Sequence, residues 1–167
     1  MIFTHRGKSE WLAQDLSSEK NIRGMVVRLS PTVHGAGDWG FVRMLADYGT
    51  KNGFVTTIGD GSTRWPAVHR YDAATLFRLA IENGKAGAIY HAAAEEVKTG
   101  DMMKKISEKL NLPVESKTQQ EAMQTIGFFA IPVGSDNPIS SEKTQKDLGW
   151  KPSNPDLLND IEKNYNF

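Results

Sequence analysis

The sequence predicts an α/β domain with crossover connections and an incomplete parallel sheet. Three observations carry this. From residue 8 to residue 92, amphipathic runs of helix length alternate with apolar runs of strand length, in the order helix, strand, helix, strand, helix, strand. The run Met25-Val-Val-Arg-Leu29 shows little alternation, as in a parallel strand buried on both faces. Asn52-Gly53 and Asn83-Gly84 stand where helices should stop. Few strands are present, so this first strand exposes one edge unless something pairs with it.

Each element has its own signal. Trp11, Leu12 and Leu16 lie at helical spacing within residues 8–19. After Met25–Leu29 comes a loop with Pro31 and three glycines, then a helix marked by Phe41, Val42, Leu45 and Tyr48. Phe54–Ile58 is a short strand, Gly59-Asp-Gly61 a turn, and Arg64–His69 is extended. Asp72 is the expected N-cap of a helix carrying Leu76, Phe77, Ala80 and Ile81 inward. Gly87–Ala92 is a strand, and Asp101–Leu110 a helix with Met102, Met103, Ile106 and Leu110 on one side. Phe128–Val133 is apolar and without a clear period. Ser141–Leu148 is a short helix ended by Gly149. Asn154 and Pro155 form an N-cap and N1 pair for a last helix, with Leu157, Leu158 and Ile161 inward.

Composition narrows the function classes. Lys+Arg and Asp+Glu are equal at 20 each, so no electrostatic footprint for nucleic acid or an anionic membrane exists. With no cysteine, disulfides, thiolate metal sites and cysteine nucleophiles are excluded. His5, His34, His69 and His91 have no metal-ligand spacing, so no metal is expected. No apolar run approaches the roughly 18–20 residues that span a bilayer, and the first residues lack a signal-peptide core. A cytoplasmic location is the resulting expectation.

Residues 35–40 read Gly-Ala-Gly-Asp-Trp-Gly, a literal G-x-G-x-x-G. The dinucleotide fingerprint needs its first glycine at the strand end, so that the pyrophosphate meets the following helix N-terminus. Here Ser30 to His34 intervene, and Pro31 among them removes a donor and stiffens the turn. Asp60 lies near where a ribose-binding acid would be sought, but a Gly-Asp-Gly turn explains it locally. The plainer reading is a glycine-rich loop ahead of a helix. A self-contained dinucleotide-binding protein using Gly35–Gly40 is kept as an alternative.

Three segments in fixed order carry a resemblance: Val26-Val-Arg-Leu-Ser-Pro-Thr-Val-His-Gly35, Val68-His-Arg-Tyr-Asp-Ala-Ala74, and Ser140-Ser-Glu-Lys-Thr-Gln-Lys-Asp-Leu-Gly-Trp-Lys-Pro152. Together they resemble the C-terminal half of the extended short-chain dehydrogenase/reductase family, the NAD(P)-dependent epimerases, dehydratases and reductases. The wording around Trp65-Pro-Ala-Val-His69 is most similar to its atypical branch. The resemblance covers nearly the whole chain. It implies the C-terminal part of a Rossmann-like doubly wound sheet within residues 1–92, and a small, mostly helical substrate subdomain over 93–167. It also implies NAD or NADP as cofactor and a small-molecule substrate.

The family's cofactor loop and its Tyr-x-x-x-Lys acid/base pair are absent. Tyr48 gives Tyr-Gly-Thr-Lys, one residue short. If Lys8 fills the lysine place, Thr4 stands where tyrosine would; two residues on, Arg6 and Glu10 take the two places. Carried over by motif, Ser30, Pro31, Thr32 and Val33 resemble the loop that meets the nicotinamide end of the cofactor. His34 takes the place often held by a tyrosine, and Gly35 to Phe41 border the substrate pocket. The family often has a nucleotide-sugar arginine seven residues before the position of Asp72. That place holds Trp65, with Arg64 one off, so a less charged substrate facing Trp39 and Trp65 is expected. His69 completes the candidate substrate set, with hydrogen-bonded structural histidine as its plainer reading. Trp39 and Trp65 could equally be packing residues, and Trp150 is expected to hold the C-terminal segment down. The resulting expectation is the substrate-binding half of an oxidoreductase, without turnover alone. A non-catalytic or truncated module that self-associates through an open sheet edge, or pairs with the absent half, is the other alternative.

Overall fold

The computed structural model describes residues 4–19 and 22–167, with the side chains of Thr4, His5 and Arg6 outside the described residues. The chain is mixed α/β. Helix α1 (Thr4–Glu19) precedes strand β1 (Val26–Leu29), which pairs in parallel with β5 (Ile89–Ala92), Val26 opposite Ile89 and Leu29 opposite Ala92. At Ser30-Pro31 the chain leaves this pair, and β2 (Thr32–His34) joins a second sheet in the order β2-β4-β6. There β4 (Arg64–His69) runs parallel to β2, and β6 (Glu95–Lys98) antiparallel to β4. A third pair joins β3 (Val55–Ile58) to β7 (Val114–Lys117), again in parallel.

The helices fill the space between these sheets. They are α2 (Phe41–Asn52), α3 (Arg70–Asn83), α4 (Thr99–Leu110), α5 (Gln119–Thr125), α6 (Ala130–Val133), α7 (Glu142–Leu148) and α8 (Leu157–Asn164). Gly53 ends α2 in the left-handed conformation, which its missing Cβ permits without strain. Strand β4 is the shared wall of two cores. Trp65 and Ala67 point into one, with Val42, Leu45, Met102, Ile106 and Leu157. Val68, on the opposite face as the two-residue strand period requires, points into the other, with Leu76, Tyr90 and Trp150. Both faces of β4 are therefore covered, which fixes the position of its carboxyl end.

Each core draws on both the earlier and the later part of the chain: α2 and β3 pack with α4 and α8, whereas Leu148 and Trp150 return to the core of β5 and α3. Several expectations change. Strands β6 and β7 have no strand signal, because Glu95-Glu-Val-Lys98 and Val114-Glu-Ser-Lys117 carry one apolar residue each. Backbone pairing with an apolar neighbour makes them strands. Strand β1 is not buried on both faces, since Arg28 and Leu29 are exposed. Phe77 and Ile81 turn outward; only Leu76 and Ala80 of the expected set are buried. Helix α3 starts before Asp72, with His69 as N-cap, and α8 starts after Pro155, with the Asp156 carboxylate accepting from the Asn159 N–H. Phe128–Val133 resolves into the end of a short 3-10 turn followed by α6. Among the described residues no helix is long and apolar enough to cross a membrane.

Candidate functional site

The parallel register of β2 and β4 sets His34 opposite His69 at the carboxyl ends of both strands. That end of a parallel pair is where α/β proteins place their ligands. The two rings meet edge to face with centroids 5.3 Å apart. His34 has no exposed surface, and its Nδ1 donates to Asp160 Oδ2 at 2.8 Å. Asp160, on α8, is equally buried and also accepts from Asn164 Nδ2. On its other side, His34 Nε2 lies 3.5 Å from Glu95 Oε1 but makes no well-formed hydrogen bond. That Glu95 oxygen accepts the Leu157 N–H at 2.7 Å, at the first turn of α8.

The two histidines are driven in opposite directions. Burial pushes the His34 ring down, but its contacts with Glu95 and Asp160 outweigh that and hold it above the usual histidine range. Burial lowers His69, and the charge of His34 lowers it further. His69 Nδ1 accepts the Tyr71 N–H, so its proton sits on Nε2. One imidazole is thus biased toward its charged form and its neighbour toward its neutral form. His69 also lines a small cleft of ≈120 Å³ with Asp72, Glu95, Asn154 and Asp156, room for about four waters. Asp72 anchors the far wall by accepting from the Ser153 and Asn154 N–H groups and from Asn154 Nδ2.

Gly35 follows β2 directly, so the Gly35–Gly40 loop stands between a strand and a helix, where the sequence expectation had Ser30 to His34 as intervening loop. Its anion place is nonetheless filled. Gly35 has φ +147°, which residues with a side chain rarely adopt, and a Cβ there would lie 2.8 Å from Arg70 Cδ. Its glycine is explained by Arg70 crossing the loop to donate to the Ala36 carbonyl at 2.5 Å. At the N-terminus of α2, the Gly40 N–H that a phosphate would need is taken by Asp38 Oδ1 at 2.7 Å. The second oxygen of Asp38 accepts from the Tyr165 hydroxyl. A carboxylate already stands where an anion would bind.

The other predicted residues are spread around this centre. Ser30 closes β1, and its hydroxyl donates to the Ala92 carbonyl at 2.7 Å. Pro31 follows half-buried, and Val33 packs into the core of β5 and α3. The Thr32 hydroxyl accepts from Trp65 Nε1 at 2.8 Å. Trp65 is fully buried, as is His34, so neither exposes a surface: Trp65 packs in the core, and His34 is held by its polar partners. Trp39 is 76% exposed, with the Arg43 guanidinium over its ring. Arg64 faces solvent and pairs with both oxygens of Asp136. Lys8 is exposed on α1, away from the histidine pair in sequence and sheet. A larger groove of ≈600 Å³ runs between α1 and the β1–β5 pair, lined by Gln14, Arg28, His91 and Thr144 among others.

Sequence reading missed Asp160 and Glu95. Asp160 reads as an ordinary acid in the first turn of a helix, and Glu95 as a solvated charge. Only the 126-residue separation closed by the fold pairs Asp160 with His34.

No protein-family model matches the chain. It is 45% identical over 145 residues to uncharacterized protein C2A9.02 of Schizosaccharomyces pombe, covering 86% of this chain and 49% of that protein. It is 42% identical over 150 residues to uncharacterized protein YLL056C of Saccharomyces cerevisiae, covering 89% and 50%. The chain thus spans about half the length of the curated relatives it matches. Among solved structures it is similar to DesIV, a dTDP-glucose 4,6-dehydratase from Streptomyces venezuelae with NAD and TYD bound (TM-score 0.69, 16% identity, 95% of this chain and 47% of that one). It is also similar to a UDP-glucose 4-epimerase from Thermotoga maritima (TM-score 0.68, 18% identity, 95% and 50%). The fold of this chain is therefore the Rossmann-like α/β fold of NAD-dependent dehydratases and epimerases, over about half of their length.

Proposed function

We propose that this chain is the substrate-side half of an NAD(P)-dependent oxidoreductase, serving hydride transfer between the cofactor and an alcohol or carbonyl once the cofactor-binding half is present. One observation carries the reading. Among the described residues strand β1 pairs with β5 only, whereas the outer side of β5 is met by Thr144, whose hydroxyl accepts the His91 N–H. Beside that open edge Leu29 is exposed, and Trp11 and Leu12 of α1 are 66% and 58% exposed. A parallel strand with one unpaired edge, beside a helix that leaves two large apolar side chains exposed, is what another strand and its covering helix would complete.

The half-length match to relatives and to NAD-bound neighbours supports the same reading. On it, Ser30–Val33 face the nicotinamide end, and Trp39 with the Gly35–Gly40 loop borders the substrate. The chain alone is predicted to bind no cofactor, since neither a phosphate cradle nor a Tyr-x-x-x-Lys pair stands in its sequence.

The test is a fluorescence titration with NADH and NADPH, first on the chain alone. It is repeated after co-expression with the half of the Schizosaccharomyces pombe relative that this chain does not match. The expected result is no binding alone, and a stable complex that binds one of the two cofactors. NADPH binding by the chain alone, abolished by Gly37→Val, would overturn the proposal in favour of the glycine loop. A homodimer that ignores the added half would favour self-association.

A further inference from the structure

His34, Asp160 and Glu95 bring together three distant parts of the chain. His34 ends β2 and leads into the Gly35–Gly40 loop, Asp160 sits on α8, and Glu95 begins β6. The loop and the C-terminal segment are tied twice more, by the Tyr165 hydroxyl donating to Asp38 and by Arg43 donating to the Asn166 carbonyl at 2.8 Å. Every one of these ties is polar, and the one at the centre depends on a single ring.

We propose that this cluster is a proton-operated latch on the substrate-side loop. With His34 doubly protonated, Glu95 stays inward and holds the first turn of α8. When the Nε2 proton leaves, Glu95 turns into the adjacent cleft, and α8 loosens from the loop. The proposal rests on the reading of Gly35–Gly40 as a substrate wall and concerns the regulation of that wall.

Geometry identifies the moving part. His34 Nε2 is fully buried and has no good hydrogen-bond acceptor, so its proton is held by the charge of Glu95 at 3.5 Å. Without that proton, a nitrogen lone pair faces a carboxylate oxygen, with no donor between them. Asp160 cannot leave, since its side chain is wholly buried and keeps the Nδ1–H. Glu95 can leave, since its side chain is 22% exposed and lines the cleft. Its departure frees the Leu157 N–H at the start of α8.

The groups around the ring set the direction. Asp160 and Asp156 face it from α8, Glu95 from β6 and His69 from β4. Asp72 of α3 acts on His69 behind them, and Tyr165 acts on Asp160 from the C-terminal segment. The ring titrates above its unfolded value, so the latch is fully formed below about pH 6.5 and is lost as pH rises through the folded value.

The test is NMR on the full chain: a ring titration of His34 alongside amide hydrogen exchange across α8, corrected for the intrinsic dependence on pH. The expected result is a step in α8 exchange at the His34 midpoint. Glu95→Gln keeps an acceptor for Leu157 and removes the charge. It should lower the His34 midpoint and abolish the exchange step, since no carboxylate then faces the ring lone pair. An α8 without a step, or a step that Glu95→Gln leaves in place, overturns the proposal. Should Glu95→Gln fail to fold, the wild-type Glu95 carboxyl resonance must shift at the His34 midpoint, and its constancy overturns the proposal. None of these readouts involves cofactor or turnover, so they stand or fall separately from the assigned function.

Discussion

Helices α1 and α4 both carry apolar residues at helical spacing, yet α4 buries Met102, Met103 and Ile106 almost completely while α1 leaves Trp11 and Leu12 in solvent. The difference lies in the helices, since α4 gathers its apolar residues on one face and α1 barely does, and in their neighbours. Helix α4 is enclosed by α2, α8 and β3, whereas α1 meets chiefly β1. An apolar stripe states which face of a helix gains from burial; only a second element supplies it. The α2–α4–α8 region buries its apolar face within this chain, whereas the α1–β1 flank leaves Trp11, Leu12 and Leu29 exposed.

Core substitutions should set the scale of this contrast. Trp150 is fully buried, and its Nε1 donates to the Asp72 carbonyl at 2.9 Å. Trp150→Ala should cost about 3–5 kcal/mol in urea unfolding, and Ile106→Ala about 2–5 kcal/mol. Asp72→Ala leaves the Ser153 and Asn154 N–H groups without their acceptor and should cost about 1–3 kcal/mol, read the same way.

Leu12→Ala, in contrast, should change the stability of the chain alone by no more than about 0.5 kcal/mol. In the complex with the absent half it should weaken association, measured by sedimentation. A large destabilisation of the chain alone would break the comparison, because α1 would then be covered in solution, by a second copy for instance. The smallest effect is expected at Arg64. Its partner Asp136 is held down to about 2, but both side chains are about half exposed. The contribution is therefore fully present above the ordinary carboxylate value of about 3.9 and is lost as pH falls through the folded value of about 2. Arg64→Ala should leave the thermal midpoint at neutral pH unmoved.

Much of the fold is legible in the sequence where signals are local. Periodicity and stop signals mark α2 and α4 to within about two residues, and Ile89–Ala92 and Arg64–His69 read as extended. What escaped depends on pairing. Charged β6 and β7 are strands because an apolar strand lies beside each. In the candidate site, His34 and His69 are visible as separate residues, but their edge-to-face contact follows from strand register. Asp160 and Glu95 are invisible, since nothing near them in sequence marks them as partners of a buried ring.

The sequence by itself determined where helices stop and that thiol chemistry is excluded. These follow from backbone sterics and residue chemistry, which act over a few positions. The tertiary structure alone decided that Asp38 fills the anion place of the loop, that Trp65 is core rather than pocket, and that two adjacent histidines are pushed in opposite directions. Those outcomes depend on desolvation and on charges brought together from distant parts of the chain, and neither quantity exists until the chain is folded.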